Sequence, residues 1–361
     1  MLNELLEKRA LPPLLVSADG TPTTAETWEK RRRELLSTLE EYEYGRMPRS
    51  VGPTTWSEKH RERTAGGVAV STVYDITFPT PDGESFTFPV TLSVPDGASA
   101  ENPVPAFVYI SFGFPWYYPM EEILDQNVAV AEFVMNSVAF DGDDKWGTLL
   151  SAHLFPDGKR APDATGKIGM WAFAASRVLD LLLSLDCVDK TRVGVVGHSR
   201  LGKTALWAGA NDERFTHVFS NDSGCSGAAI TRGKVGETFP RIASVFPYWF
   251  SEKMQEISTD VETSERTPFD QHFLLAAAAP RKLYVASATE DEWADPVSEY
   301  LACRAASPAW ELLGEPGFLA PDRLPEGGDC FADGKVGYHL RIGTHFLSRK
   351  DWNRYIEFIK K

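Results

Sequence analysis

The chain has 361 residues, of which 43% are hydrophobic, 24% charged and 12% aromatic, proportions that exclude a disordered, collagen-like or coiled-coil chain. Its 51 acidic and 37 basic residues give a formal charge of −14, which argues against nucleic acid and anionic membrane surfaces as partners, because both are bound through Lys and Arg. Cys187, Cys225, Cys303 and Cys330 are dispersed and form no C-x-x-C pair, so neither a zinc site nor a disulfide framework is expected, and no cofactor is implied.

The opening segment, Met1-Leu-Asn-Glu-Leu-Leu-Glu-Lys-Arg9, is charged and amphipathic and lacks the basic-then-apolar layout of a signal peptide. No apolar run reaches the roughly 18 residues of a membrane span. A soluble, cytoplasmic protein with reduced thiols is the expectation. Residues 26–45 predict a helix ending at Gly45, with Leu35, Leu36, Leu39 and Tyr42 on one face. Val68–Phe78 and Phe86–Val94 are rich in Val, Thr, Tyr and Phe and flank Pro-Thr-Pro-Asp-Gly, which predicts a hairpin. Strands and helices then alternate. Val104–Ile110 and Val128–Val134 read as strands, Gly169–Leu185 as a helix, and Val193–Val196 as a short buried strand before a helix over 201–210. Thr216–Ser220, Leu283–Ser287 and Tyr338–Ile342 complete the strands. Apolar strands separated by helices predict a mostly parallel sheet covered on both faces. Residues 1–66 are expected to form a helical extension packed on a catalytic domain of residues 67–361.

Val193-Gly-Val-Val-Gly-His-Ser-Arg-Leu-Gly-Lys203 runs from a strand through Ser199 directly into a helix, the setting of a nucleophile elbow. Gly197 fits the G-x-S-x-G pattern, but Leu201 occupies the second glycine position and Gly202 follows one residue late. A serine capping the helix is the competing reading of Ser199. Two further placements decide against it. His345 follows the last predicted strand, and Asp291 follows the strand before it. Ser199, Asp291, His345 is the chain order of an α/β-hydrolase, a three-layer sandwich around a mostly parallel central sheet. The remaining histidines read as structural, and His198 is expected to point away from the nucleophile. The loop Ser111-Phe-Gly-Phe114 reads equally as an oxyanion-hole donor or a tight connection. No His, Asp and Glu cluster has metal-ligand spacing.

Gly197-His-Ser-Arg-Leu-Gly-Lys203 resembles the Gly-Cys-Ser-Arg-x-Gly-Lys signature of the carbohydrate esterase family 15 glucuronoyl esterases, in which the shifted glycine is normal. Asn221-Asp-Ser-Gly-Cys-Ser-Gly-Ala-Ala, Glu237-Thr-Phe-Pro-Arg-Ile, Phe246-Pro-Tyr-Trp-Phe250, Phe269-Asp-Gln-His272 and Asp291-Glu-Trp-Ala-Asp-Pro296 are similar to segments of that family. The resemblance runs from about residue 28 to the C-terminus, and related bacterial proteins are often labelled acetylxylan esterases. It implies a serine carboxylesterase acting on carbohydrate esters, foremost 4-O-methylglucuronoyl esters, with an acetylxylan or general acyl esterase, or an inert carbohydrate-binding protein, as alternatives. It further implies Arg200 as an oxyanion donor, Lys203 and Glu237 as ligands of sugar hydroxyls, and Trp293 as a stacking platform. Asp222 stands where the fungal members carry a glutamate, so Asp291 is the preferred orienter of His345, with Asp222 assisting or replacing it. His198 replaces the usual Cys and so removes a disulfide of secreted members. Together with the missing leader, this makes small carbohydrate esters or oligosaccharide fragments the expected substrates.

Overall fold

A computed structural model describes residues 2–361. The short helix α1 (Leu2–Arg9) leads to α2 (Trp28–Leu39), whose last turn continues as a wider helical turn over Glu40–Tyr44 and stops at Gly45 with φ 79°. Leu35 and Leu39 are fully buried, as their spacing predicts. Arg32, on the face expected to be solvated, is buried as well. Its guanidinium donates to the Ala277 carbonyl at 2.9 Å and the Ala210 carbonyl at 2.6 Å, tying the N-terminal segment to the body of the molecule.

The sheet takes its strands in the order β1-β2-β3-β5-β4-β6-β7-β8-β10-β9. These are β1 (Thr55–Thr64), β2 (Ala69–Pro79), β3 (Ser85–Pro95), β4 (Val104–Ser111), β5 (Ala129–Val134), β6 (Val188–His198), β7 (His217–Asn221), β8 (Lys282–Ala288), β9 (Cys330–Phe331) and β10 (Val336–Arg341). β5, β4, β6, β7, β8 and β10 are parallel, while β1–β3 and β9 extend the sheet antiparallel at its two ends. The hairpin β2–β3 and the parallel series lie where the sequence predicts them.

β1 corrects the expectation for residues 1–66: the last part of the supposed helical extension is a strand paired with β2. Its sequence, Thr-Trp-Ser-Glu-Lys-His-Arg-Glu-Arg-Thr, is solvent-exposed at every residue but the last, which is half-buried. An edge strand with neither face in the core has no reason to alternate, and its charges protect an edge that could otherwise pair with another chain.

Four further helices position the site: α3 (Lys167–Ser184), α4 (Arg200–Asn211), α5 (Pro296–Ala306) and α6 (Arg349–Ile359). α3 and α4 pack with α5 on one face of the sheet, while Trp352, Tyr355 and Phe358 of α6 fill the other against Phe107, Phe219 and Tyr284. The result is a three-layer α/β-hydrolase sandwich. No helix among the described residues is long and apolar enough to cross a membrane.

Candidate active site

β6 ends at His198 and α4 begins at Arg200, so Ser199 alone makes the turn. It does so at φ 57°, ψ −125°, a conformation that costs a non-glycine residue roughly 1–3 kcal/mol and is held only by its surroundings. Its N–H donates to the Asn221 carbonyl at 2.8 Å, and its own carbonyl accepts the Gly202 N–H at 2.9 Å. A Cβ on Gly197 would lie 2.0 Å from the Leu201 carbonyl oxygen, so only glycine permits the turn. A Cβ on Gly202 would lie 3.0 Å from the Asn221 oxygen, where α4 crosses the end of β7. Close approach therefore falls three residues after the serine, and the intervening Leu201 is free to bury its side chain completely. The displaced glycine is a packing requirement of this turn.

His345 stands in the loop between β10 and α6. Its Nδ1 lies 2.6 Å from Asp291 Oδ2, and Asp291 also accepts the Ala294 N–H at 3.2 Å. Burial pushes the Asp291 carboxyl up, but the hydrogen bond and charge of His345, with the Ala294 N–H, hold it below the usual carboxylate range. An ionised Asp291 fixes the proton on Nδ1 and leaves Nε2 as the basic nitrogen.

Asp222, immediately after β7, is buried and differently engaged. Its Oδ2 accepts the Phe346 N–H at 3.2 Å and lies 3.6 Å from the Arg341 guanidinium, while Oδ1 has no hydrogen-bond partner. Burial, then the charges of Glu299, Asp291 and Asp351, push its carboxyl well above the ordinary value, with Arg341 opposing. Ligand atoms of Asp222, Asp291 and His345 all lie within 4.8 Å of one another, a set of the kind that could hold a metal ion. The Nδ1–Oδ2 bond already commits the histidine to Asp291.

Ser199, Arg200, Lys203, Asp222, Glu237, Asp291, Trp293 and His345, all singled out by the sequence, line one cavity of about 370 Å³. Lys203 is 4% exposed rather than a surface residue of the first helical turn. Its ammonium donates to the Ser223 carbonyl, and burial pulls its pKa down against the opposing charge of Glu237. Glu237 is buried beside it, its N–H bonded to the Trp293 carbonyl at 3.0 Å, and the Trp293 ring is exposed. The Arg200 guanidinium pairs with Asp141 and lies 4.8 Å from the centre of the Trp249 ring, whose Nε1 donates to Asp141 at 2.6 Å. Asp141 carries no sequence signal, because its partners are 59 and 108 residues away.

Ser199, Arg200 and His345 also border a second cavity of about 360 Å³, walled by Phe112, Phe114, Tyr117, Met135, Asn136 and His198. The Ser111–Phe114 loop supplies part of this wall. Its Gly113 N–H is taken by Ser111 Oγ at 2.8 Å, as in a tight connection. His198 departs from expectation: it faces the site, its ring centre 4.5 Å from that of His345 and its Nδ1 2.6 Å from Asn221 Oδ1. Burial, with the neighbouring His345, lowers its pKa to about 3, so it stays neutral. His60, His153, His217, His272 and His339 pair elsewhere and line neither cavity.

The model of the fungal glucuronyl esterases matches residues 79–314, a span that includes Ser199 and Asp291. Carbohydrate esterase MZ0003 from an unknown prokaryotic organism is 34% identical over 97% of this chain and 89% of its own length. The chain belongs to carbohydrate esterase family 15, the glucuronoyl esterases. Another member, the 4-O-methyl-glucuronoyl methylesterase of Schizophyllum commune, is 30% identical over 85% of this chain and 74% of its own. The glucuronoyl esterase from Solibacter usitatus superimposes with a TM-score of 0.87 at 33% identity, covering 97% of both chains. Family membership makes the protein a carboxylic ester hydrolase.

Proposed function

We propose that this glucuronoyl esterase hydrolyses uronate esters of small carbohydrates or oligosaccharides, foremost 4-O-methylglucuronoyl esters, through an acyl-enzyme on Ser199. The observation that carries the reading is the 2.6 Å His345–Asp291 bond beside the strained Ser199 turn, at a cavity that also buries the Lys203 cation. His345 Nε2 takes the Ser199 proton as Oγ attacks the ester carbonyl, then returns it to the leaving alcohol; water repeats the cycle to release the acid. Asp291 holds the tautomer and stabilises the imidazolium. Arg200 opens α4, so its backbone N–H has no partner within the helix, and with its guanidinium it meets the charge that develops on the tetrahedral oxygen. Lys203 and Glu237 bind sugar hydroxyls, and Trp293 stacks on the ring. The aromatic cavity on the other side of Ser199 receives the alcohol. A cytoplasmic location belongs to the same proposal and suits four cysteines that are all free thiols; cell fractionation tests it.

A substrate panel tests the specificity. The kcat/KM for methyl 4-O-methylglucuronate should exceed those for an acetylated xylo-oligosaccharide and p-nitrophenyl acetate. Preference for the acetylated sugar would instead make the protein an acetylxylan esterase.

A further inference from the structure

The His345 imidazole is 42% exposed, so packing around the ring encloses only part of it. The loop that carries it is fixed from beneath. Arg341, the last residue of β10, turns its guanidinium inward. Nη2 donates to the Thr344 carbonyl at 2.8 Å and the Phe346 carbonyl at 2.7 Å, the two residues flanking His345. Nε donates to Asp351 Oδ2 at 3.0 Å. Asp351 also accepts the Ser348 N–H at 2.6 Å and closes the capping box that starts α6. From the opposite side Asp222 accepts the Phe346 N–H and pairs with Arg341. Gly343, at φ 135°, completes the arrangement: a Cβ there would come 2.7 Å from Arg341 Nη1.

We propose that Arg341 and Asp222 form a buried clamp that sets the position of His345, which makes Arg341 a positioning residue for ester hydrolysis and Asp222 part of the clamp instead of the histidine's acid. The inference rests on His345 being the base. A planar fork can bridge two carbonyls and a carboxylate at once, whereas an ammonium on a flexible stem cannot hold the same three directions. Releasing the carbonyls on either side of His345 lets Nε2 drift from the line of proton transfer, and a displacement of about 1 Å is enough to cost roughly 10²-fold in rate.

Arg341→Lys and Arg341→Ala test this with p-nitrophenyl acetate and methyl 4-O-methylglucuronate, activity being expressed per folded molecule from thermal melts. The expected result is a kcat lowered about 10²-fold in both variants with KM changed by less than about threefold. Arg341 also lines a surface cavity of about 420 Å³ between β10 and α6. Millimolar guanidinium chloride should therefore restore part of the kcat of Arg341→Ala and leave the wild type and His345→Ala unchanged. If both variants keep kcat within about threefold of wild type, the clamp is refuted. It is refuted equally if the loss follows the folded fraction alone and guanidinium restores nothing. His345→Ala separates this inference from the one beneath it. An active His345→Ala overturns the base assignment, whereas an inactive one beside fully active Arg341 variants overturns only the clamp.

Discussion

Asp291→Asn is the most discriminating single change at the site. In the wild type, His345 Nδ1 sits 2.6 Å from a carboxylate held ionised by its surroundings. When His345 takes the Ser199 proton, a positive ring faces that negative group with charge centres about 4 Å apart. At an effective dielectric constant near 20 the attraction is about 4 kcal/mol, or roughly a thousandfold in rate. An asparagine loses this attraction and can also present its N–H₂ to Nδ1, which moves the ring proton to Nε2 and removes the base. The combined cost should be about 10⁴ in kcat, a size known from the corresponding change in a serine protease. The assay is kcat on a uronate ester and on p-nitrophenyl acetate, with circular dichroism to establish the fold. Asp222→Asn keeps an oxygen for the Phe346 N–H and should cost no more than about tenfold. An Asp291→Asn enzyme within about tenfold of wild type would refute the assignment: collapse only in the double variant would make the two acids share the role, and collapse of Asp222→Asn alone would make Asp222 the orienter.

Three other outcomes are expected. Ser199→Ala should abolish labelling by a serine-directed fluorophosphonate and lower kcat by roughly a thousandfold or more; retained labelling would move the nucleophile to another serine. Hydrolysis should survive dialysis against EDTA, and a loss reversed by zinc would show that the Asp222, Asp291 and His345 groups serve a metal. Glu43 gives a pH test of stability. Burial raises its carboxyl from the ordinary 4.5 to about 7, with Gln271 opposing. The unfolded chain therefore releases this proton first, so the group's contribution to stability falls as pH rises from 4.5 to about 7 and stays low above that. Glu43→Gln removes this penalty, and the buried Gln271 amide, whose Oε1 has no partner, can turn to pair with the new amide. The melting temperature of the variant relative to wild type should climb across that window. A difference that is flat with pH, measured by scanning calorimetry, would contradict the assignment.

What the sequence made legible follows its range of interaction. The parallel strands were readable because residues such as those of Val104–Ile110 are buried on both faces and so are apolar throughout. The Ser199 turn was readable because its constraints fall within seven consecutive residues. β1 was not, since a fully exposed edge strand carries no hydrophobic period. The orienting acid stayed open because Asp222 and Asp291 both follow strands and both come close to His345; only the side-chain bond separates them. His198 was misread because the turn places it against His345, a direction that no spacing encodes. Asp141 was hidden because its partners are distant in sequence, and the Arg341 clamp because the inward turn of the guanidinium and its meeting with Asp222 carry no sequence spacing.

The two aspartates owe their roles to environment more than to chain position. Asp222, Asp291, Asp351 and Glu299 are all buried in one region, where the Arg341 guanidinium opposes the rise of Asp222. Four carboxylates so placed cannot all ionise at equal cost, and the fold resolves the conflict unevenly. Glu299, desolvated and bonded mainly to Ser287 and the Gly224 N–H, is raised to about 7, and Asp222 is likewise raised well above its ordinary range. Against burial, Asp351 is held low by His339 and Arg341, and Asp291, which bonds His345 Nδ1, is held low as well. When two acids beside one base have their affinities pushed apart in this way, the acid that stays charged serves the developing imidazolium. The other is left with the work its geometry allows, which here is to accept a backbone N–H and hold the loop. Exchanging the two roles would require moving Arg341 toward Asp291, and Arg341 is fixed at the end of β10 by Asp351 and by the carbonyls of Thr344 and Phe346.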